Sequence, residues 1–283
     1  MLPARFALHR PDTLAQALAL LAEHGDDATA YAGGTELLIA MKARVLRYAQ
    51  VVDIKRVPEL HGIRIDSDKL VIGALSTHYQ IAQHALVREH FPAYAELSDN
   101  VANIRVRVAG TIGGNLCFAE PHADPPALLC ALDAVVLLAG PNGQRRIPMG
   151  EFILGEFTTA RADGELMVAV ELPLPAAGMR AAYRAFGQLE RPAAGVAAVC
   201  IDNGGKLAWR FWVGALCAPP TRLAALEDLC AGLPAHALAA TIEQHAPALC
   251  AALDAQDDLH GSADYKRHLA SVLVHRAAKA CLA

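Results

Sequence analysis

The chain has 283 residues, 54% of them hydrophobic and 19% charged, with a formal net charge of −4. That length corresponds to about two domains. The apolar fraction excludes intrinsic disorder, and the acidic balance with only 5% aromatic residues excludes a general nucleic-acid footprint or a base-stacking platform.

The longest apolar stretch, residues 127–139, is broken by Asp133 and is shorter than the ~20 residues a bilayer span needs. Residues 1–12 hold Pro3, Arg5 and Arg10 and no apolar h-region, so a cytoplasmic location is expected. A high apolar fraction without a span reflects either a large core or a buried subunit interface.

In chain order, the first element is a helix capped by Asp12 or Thr13, with Leu14, Ala17, Leu18 and Leu21 on one face and Gly25 beyond its end. A strand near 28–32 runs into Gly33-Gly34, a helix follows over 36–45, and 51–54 reads as a strand. Residues 63–65 and 70–72 flank the turn Asp66-Ser67-Asp68 as a hairpin. Helices are expected over 77–85 and 88–101, then a glycine-rich loop over 107–115. Asp124-Pro125-Pro126 reads as a helix start, an N-cap followed by prolines in the first turn. Residues 135–138 form a buried strand, Pro141-Asn142-Gly143 a turn, and 168–172 a further strand. The stretch 173–178 is the expected linker. Beyond it, strands are expected over 180–186, 196–201 and 207–213, with Asn203-Gly204 turning between the last two. Helices over 222–230, 238–245 and 265–280 complete the chain.

The seven cysteines, including Cys117 and Cys217, form no C-x-x-C, and no two are closer than thirteen positions. Local zinc, redox and iron–sulfur signatures are therefore missing, and each cysteine reads as a small buried hydrophobe. The histidines form no i, i+4 ligand pairs, so no metal is assigned.

Two glycine loops carry the candidate chemistry: Tyr31-Ala32-Gly33-Gly34-Thr35-Glu36 and Gly110-Thr111-Ile112-Gly113-Gly114-Asn115. Glycine lets the backbone approach a ligand closely, successive N–H groups can cradle phosphate oxygens, and threonine adds a hydroxyl. Two such loops suit a pyrophosphate held from both sides. Either loop alone is better read as an ordinary tight turn. Neither is G-x-G-x-x-G or G-x-x-x-x-G-K-[ST], so the Rossmann fingerprint and the P-loop are absent.

The stretch from Ala32 to Leu38 with Met41-Lys42, and the stretch from Gly110 to Leu116 followed by Asp124 and Pro125-Pro126, resemble the FAD-binding subunits of molybdenum hydroxylases. Val213-Gly214-Ala215 with Pro219-Pro220-Thr221-Arg222, and Gly261-Ser262-Ala263-Asp264-Tyr265-Lys266-Arg267, are similar to two further motifs of that family, so nearly the whole chain is covered.

The resemblance implies an α+β fold of the FAD-binding PCMH (vanillyl-alcohol-oxidase-like) type. Residues 1–173 would form two α/β subdomains, approximately 1–55 and 56–173. Residues 178–283 would form a C-terminal domain with a three-stranded antiparallel sheet and helices. It implies that Ala32, Gly33, Gly34 and Thr35 bind the pyrophosphate and that Glu36 and Leu37 lie along the flavin side. Thr111, Ile112, Gly113, Gly114 and Asn115 would close the second loop over it. Asp124 would contact sugar or ribityl hydroxyls, and Ala102 the adenine end. Met167 would meet the isoalloxazine, and Arg184 would supply a cation near it. The chain departs from its relatives in Glu190-Arg191-Pro192-Ala193-Ala194-Gly195, where Ala194 stands in the place of an Asp.

FAD is expected to be non-covalent, with Cys117 and His122 the side chains close enough in sequence to test. Molybdopterin and 2Fe-2S clusters would sit on a large and a small partner subunit, in a dimer of heterotrimers. The chain would take electrons from the clusters and pass them to an external acceptor. A stand-alone flavin reductase or oxidase, and a flavin-free nucleotide-binding or assembly module, remain alternatives.

Overall fold

The computed structural model describes residues 2–187, 191–216 and 219–282. Glu190 and Cys217 therefore lie outside the described residues.

The first unit alternates β1 (Ala7–His9), α1 (Leu14–His24), β2 (Ala28–Tyr31), α2 (Leu37–Lys42) and β3 (Gln50–Asp53). Thr13, not Asp12, caps α1: its hydroxyl accepts from the Gln16 N–H at 3.2 Å. The strands make a parallel sheet in the order β1-β3-β2, so the β2–α2–β3 connection is a crossover that leaves the first glycine loop at the end of β2.

The second unit opens with the hairpin β4 (Ile63–Asp66) and β5 (Lys69–Gly73). Five short helices follow: α3 (His78–Gln83), α4 (Ala85–His90), α5 (Pro92–Asn100), α6 (Ile104–Ala109) and α7 (Ile112–Phe118). Then come α8 (Pro125–Ala131), β6 (Val135–Gly140), β7 (Gly143–Pro148), α9 (Met149–Phe152), the small pair β8 (Ile153–Gly155) and β9 (Thr158–Thr159), and β10 (Leu166–Pro173). The sheet is antiparallel, in the order β4-β5-β10-β6-β7. Its central strand β10 is buried on both faces. Met167, Val170 and Leu172 face the helical side, while Leu166, Val168 and Ala169 face the first unit. Strict alternation would separate Val168 from Ala169. A bulge between Met167 and Ala169 puts both on one side.

The C-terminal part holds β11 (Met179–Phe186), β12 (Ala194–Asn203), β13 (Lys206–Gly214) and the two-residue β14 (Thr221–Arg222), antiparallel in that order. The three expected strands are thus joined by a short fourth. Helices α10 (Ala224–Cys230), α11 (Ala235–Ala251) and α12 (Ala263–Leu282) cover one face. The apolar run of β12 splits by period two. Ala194, Val196, Ala198 and Cys200 pack under these helices, while Ala197 and Val199 join the core of the second unit. The sheet is therefore a partition between two cores. No helix among the described residues is long and apolar enough to cross a membrane.

Candidate functional site

A cavity of about 730 Å³ opens where the first unit meets the second. The first glycine loop forms one wall, the segment from Val101 to Asp124 the facing wall, and Met167 and Arg191 border it from β10 and the C-terminal part. Of the residues assigned from sequence, Ala32, Gly33, Gly34, Thr35, Glu36, Leu37, Ala102, Thr111, Gly113, Gly114, Asn115, Asp124 and Met167 line this one cavity. Ile112 and Arg184 do not. Ile112 is fully buried in the core, and its N–H donates to the Ser76 carbonyl. Arg184 borders a separate pocket of about 390 Å³, where it donates to Glu96 at 3.3 Å and to the Tyr183 carbonyl at 2.8 Å.

The expected loop over 107–115 is mostly helical. Asn103 caps α6 and Thr111 caps α7, so Gly113 and Gly114 lie in the first turn of a helix. The Thr111 hydroxyl accepts from the Gly114 N–H at 3.1 Å. The glycines have distinct jobs. A methyl on Gly33 would stand 1.9 Å from the Ala109 carbonyl oxygen, and one on Gly113 would stand 2.7 Å from the Ala74 side chain. These two let segments pack together: Gly33 seats the first loop on the end of α6, and Gly113 seats α7 on the residue after β5. Gly34 has φ +71, which glycine adopts without strain. A methyl on Gly114 would meet only the Thr111 hydroxyl, at 3.0 Å. Gly114 therefore leaves backbone open toward the cavity.

The wall carries more carboxylates than cations: Asp26, Glu36, Glu120, Asp124, Asp163 and Glu165 against Arg161 and Arg191, with His78 and His122 beside them. Arg191 spans the site. It donates to Glu36 on the first loop at 2.9 Å and to Glu120 beyond α7 at 3.1 Å. Asp124 has helical backbone angles and makes no capping bond. Its side chain turns inward and accepts from the Tyr183 hydroxyl at 3.0 Å. Burial, opposed by that hydrogen bond and aided by Glu120, pushes the Asp124 acid up to about 6. Burial and then the charge of Arg107 push His78 down to about 4, so its imidazole is neutral at pH 7. Burial raises the Cys117 thiol to about 11, so it stays protonated.

Sequence reasoning missed His78, Glu120 and Arg191 as wall residues. The segment around Arg191, questioned because Ala194 replaces an acid, nonetheless reaches the first glycine loop and Glu120 beyond α7 through the Arg191 guanidinium.

Residues 4–175 match the family described as FAD binding domain in molybdopterin dehydrogenase, and residues 181–281 match the CO dehydrogenase flavoprotein C-terminal domain. The carbon monoxide dehydrogenase medium chain of Hydrogenophaga pseudoflava is 34% identical over 287 residues, covering 100% of this chain and 99% of its own. The medium chain of the Afipia carboxidovorans enzyme is 36% identical over 287 residues, covering 98% and 96%. A solved structure of carbon monoxide dehydrogenase from Hydrogenophaga pseudoflava, lacking the Mo-pyranopterin moiety of the molybdenum cofactor, matches with a TM-score of 0.93 at 34% identity over 100% of this chain and 99% of that one. The chain belongs to the FAD-binding subunits of the molybdenum hydroxylase family of oxidoreductases.

Proposed function

We propose that the chain is the FAD-carrying medium subunit of a molybdenum hydroxylase complex. It receives electrons from 2Fe-2S clusters of a small subunit and delivers them to an external acceptor, while a large subunit carries the molybdenum cofactor. The assembly we propose is a dimer of such heterotrimers.

The observation that carries this reading is the pairing of the two glycine segments across one cavity. Among the described residues, no protein acceptor takes the backbone N–H of Gly33, Gly34 or Thr35. Nor does any partner take the buried Asn115 Oδ1 or His78 Nδ1. Buried polar atoms left unpaired are uncommon unless a ligand satisfies them. The acidic wall sharpens the point: side-chain cations are too few to neutralise a diphosphate, so backbone amides must do that work.

FAD, when bound, supplies a two-electron carrier. The chain's own residues hold it. The first loop offers N–H groups and the Thr35 hydroxyl to the diphosphate, and the start of α7 offers the Thr111 hydroxyl. Asp124 has one carboxylate oxygen on Tyr183 and the other available for hydroxyl donors. Arg191 ties the first glycine segment to Glu120, beyond the end of α7, over the cavity.

We further propose a non-covalent flavin. The Cys117 thiol borders the cavity as a half-buried, protonated group, and both His122 ring nitrogens are engaged by protein acceptors, so neither is a ready nucleophile. Acid precipitation of the purified chain is expected to leave a colourless pellet and a yellow supernatant. A yellow pellet refutes the non-covalent assignment. Co-expression with molybdenum and 2Fe-2S subunits, followed by affinity capture and a flavin spectrum, tests the whole reading. Capture of both partners with stoichiometric FAD is expected; a chain that purifies alone with its own turnover points to a stand-alone enzyme instead.

A further inference from the structure

The His122 side chain has no part in holding the cofactor in the scheme above. His122 lies in the turn between α7 and α8 and borders the cavity, yet it is only 7% exposed. Its Nδ1 is 2.9 Å from the Pro192 carbonyl oxygen and its Nε2 is 2.8 Å from Asp258 Oδ2. A carbonyl oxygen has no proton to donate. Asp258 has none either, because its carboxylate also accepts from Lys266 Nζ and from the His260 N–H at 2.7 Å. Burial works to raise the Asp258 acid, but the Lys266 and His260 hydrogen bonds and the charge of His122 outweigh it and hold it at about 2. Both ring nitrogens of His122 therefore face pure acceptors, and only the imidazolium donates from both.

The groups around His122 fix this state. Glu120 accepts the His122 backbone N–H at 3.0 Å and is itself bonded to Arg191. The His260 ring stands 4.3 Å away, and burial, then the charge of His122, lower its pKa, so it adds no second cation. Lys266 is completely buried and also donates to the Gln256 carbonyl. It anchors Asp258 from the far side and belongs to the G-S-x-x-Y motif at the start of α12. That motif thus acts on the cavity through Asp258 and His122.

We propose that Pro192 and Asp258, facing its two ring nitrogens, hold His122 as an imidazolium, and that this cation favours reduced over oxidised FAD in the cavity. The proposal rests on the FAD reading above. Two-electron reduction with uptake of one proton adds one negative charge to the cavity. Of the other wall cations, Arg191 serves Glu36 and Glu120 and Arg161 donates to the Glu165 carbonyl, whereas the carboxylate beside His122 is also neutralised by Lys266. A cation in a partly dry wall stabilises the added charge. Arg184, to which the family resemblance assigns this role, faces a different pocket and is paired with Glu96.

The test uses the full chain loaded with FAD. Equilibrium reductive titration against a reference dye gives the midpoint potential of the wild type, His122→Gln and Asp258→Asn. Both variants are expected to hold FAD and to lose about tenfold in preference for the reduced form, a drop of about 30 mV for a two-electron couple. Nitrogen-15 NMR of the wild-type histidine rings at pH 8 is expected to show both His122 nitrogens protonated, and one deprotonated in Asp258→Asn. Variants that bind FAD fully at an unchanged potential overturn the proposal, as does a neutral His122 ring in the wild type, which needs no variant to observe. A wild-type chain that takes up no FAD overturns the underlying cofactor reading instead, and the NMR result still decides the charge of His122.

Discussion

Gly33→Ala is expected to give a destabilised chain without FAD, whereas Gly114→Ala is expected to give a chain as stable as the parent that also holds no FAD. The two glycines look alike in sequence, each the neighbour of another glycine and close to a threonine. Their surroundings differ. At position 33 the added methyl would stand 1.9 Å from the Ala109 carbonyl oxygen, and backbone does not yield as a side-chain end does. Overpacking against a fixed atom costs about 3 kcal/mol, which lowers the melting temperature by roughly 6–10 °C in a domain of this size. The first loop would also lift off α6, separating the two halves of the cradle.

At position 114 the methyl would meet only the Thr111 hydroxyl, and alanine is the better helix former. Stability is kept, but the methyl occupies the face that a diphosphate must approach. Thermal melts and FAD fluorescence on both variants separate the cases. A Gly114→Ala chain that binds FAD like the wild type would mean that the cofactor does not approach the start of α7.

Most of the fold was legible because the chain's patterns are local. The β4–β5 hairpin, the prolines opening α8 and the apolar runs of β10 and β12 announce themselves within a few residues. What the sequence obscured has physical reasons. The stretch over 107–115 reads as loop because adjacent glycines lower helix propensity, yet Thr111 caps α7 and the Ala74 contact requires glycine at 113. Strand β7 escaped notice because its residues are almost all exposed, so it shows no apolar alternation.

The candidate site divides the same way. The two glycine segments and Asp124 were visible as motifs. The pairings beside them were not, because His122 meets Asp258, 136 residues away, and Arg191 reaches Glu36 across 155. No local spacing encodes such a pairing. The apolar composition that pointed to either a core or an interface also resolves in part: β10 and β12 are each buried on both faces, so two partition strands absorb much of it in cores.

FAD affinity of the wild-type chain is expected to fall about tenfold between pH 7 and pH 5, and Asp124→Asn is expected to remove that dependence. In the unliganded fold, burial holds the Asp124 acid at about 6, above its ordinary 3.8, so the protonated form is favoured. The stability this group contributes is therefore greatest at low pH and is lost as pH rises from 3.8 through 6. Cofactor binding runs the other way. A carboxylate that accepts from sugar or ribityl hydroxyls is needed ionised, so binding pulls the acid back toward its ordinary value and affinity drops as pH falls through 6. With a bound-state value near 4, linkage gives a factor of about ten over that window.

Tyr183→Phe supplies the control. The Tyr183 hydroxyl donates to Asp124 and lowers its acid, so its loss moves the midpoint of the pH profile above 6. Fluorescence titration of FAD from pH 5 to 8 on the three chains reads all of this. A flat wild-type profile would take Asp124 out of the cofactor contact, and an Asp124→Asn profile as steep as the parent's would place the pH sensitivity in Glu120 or elsewhere on the wall.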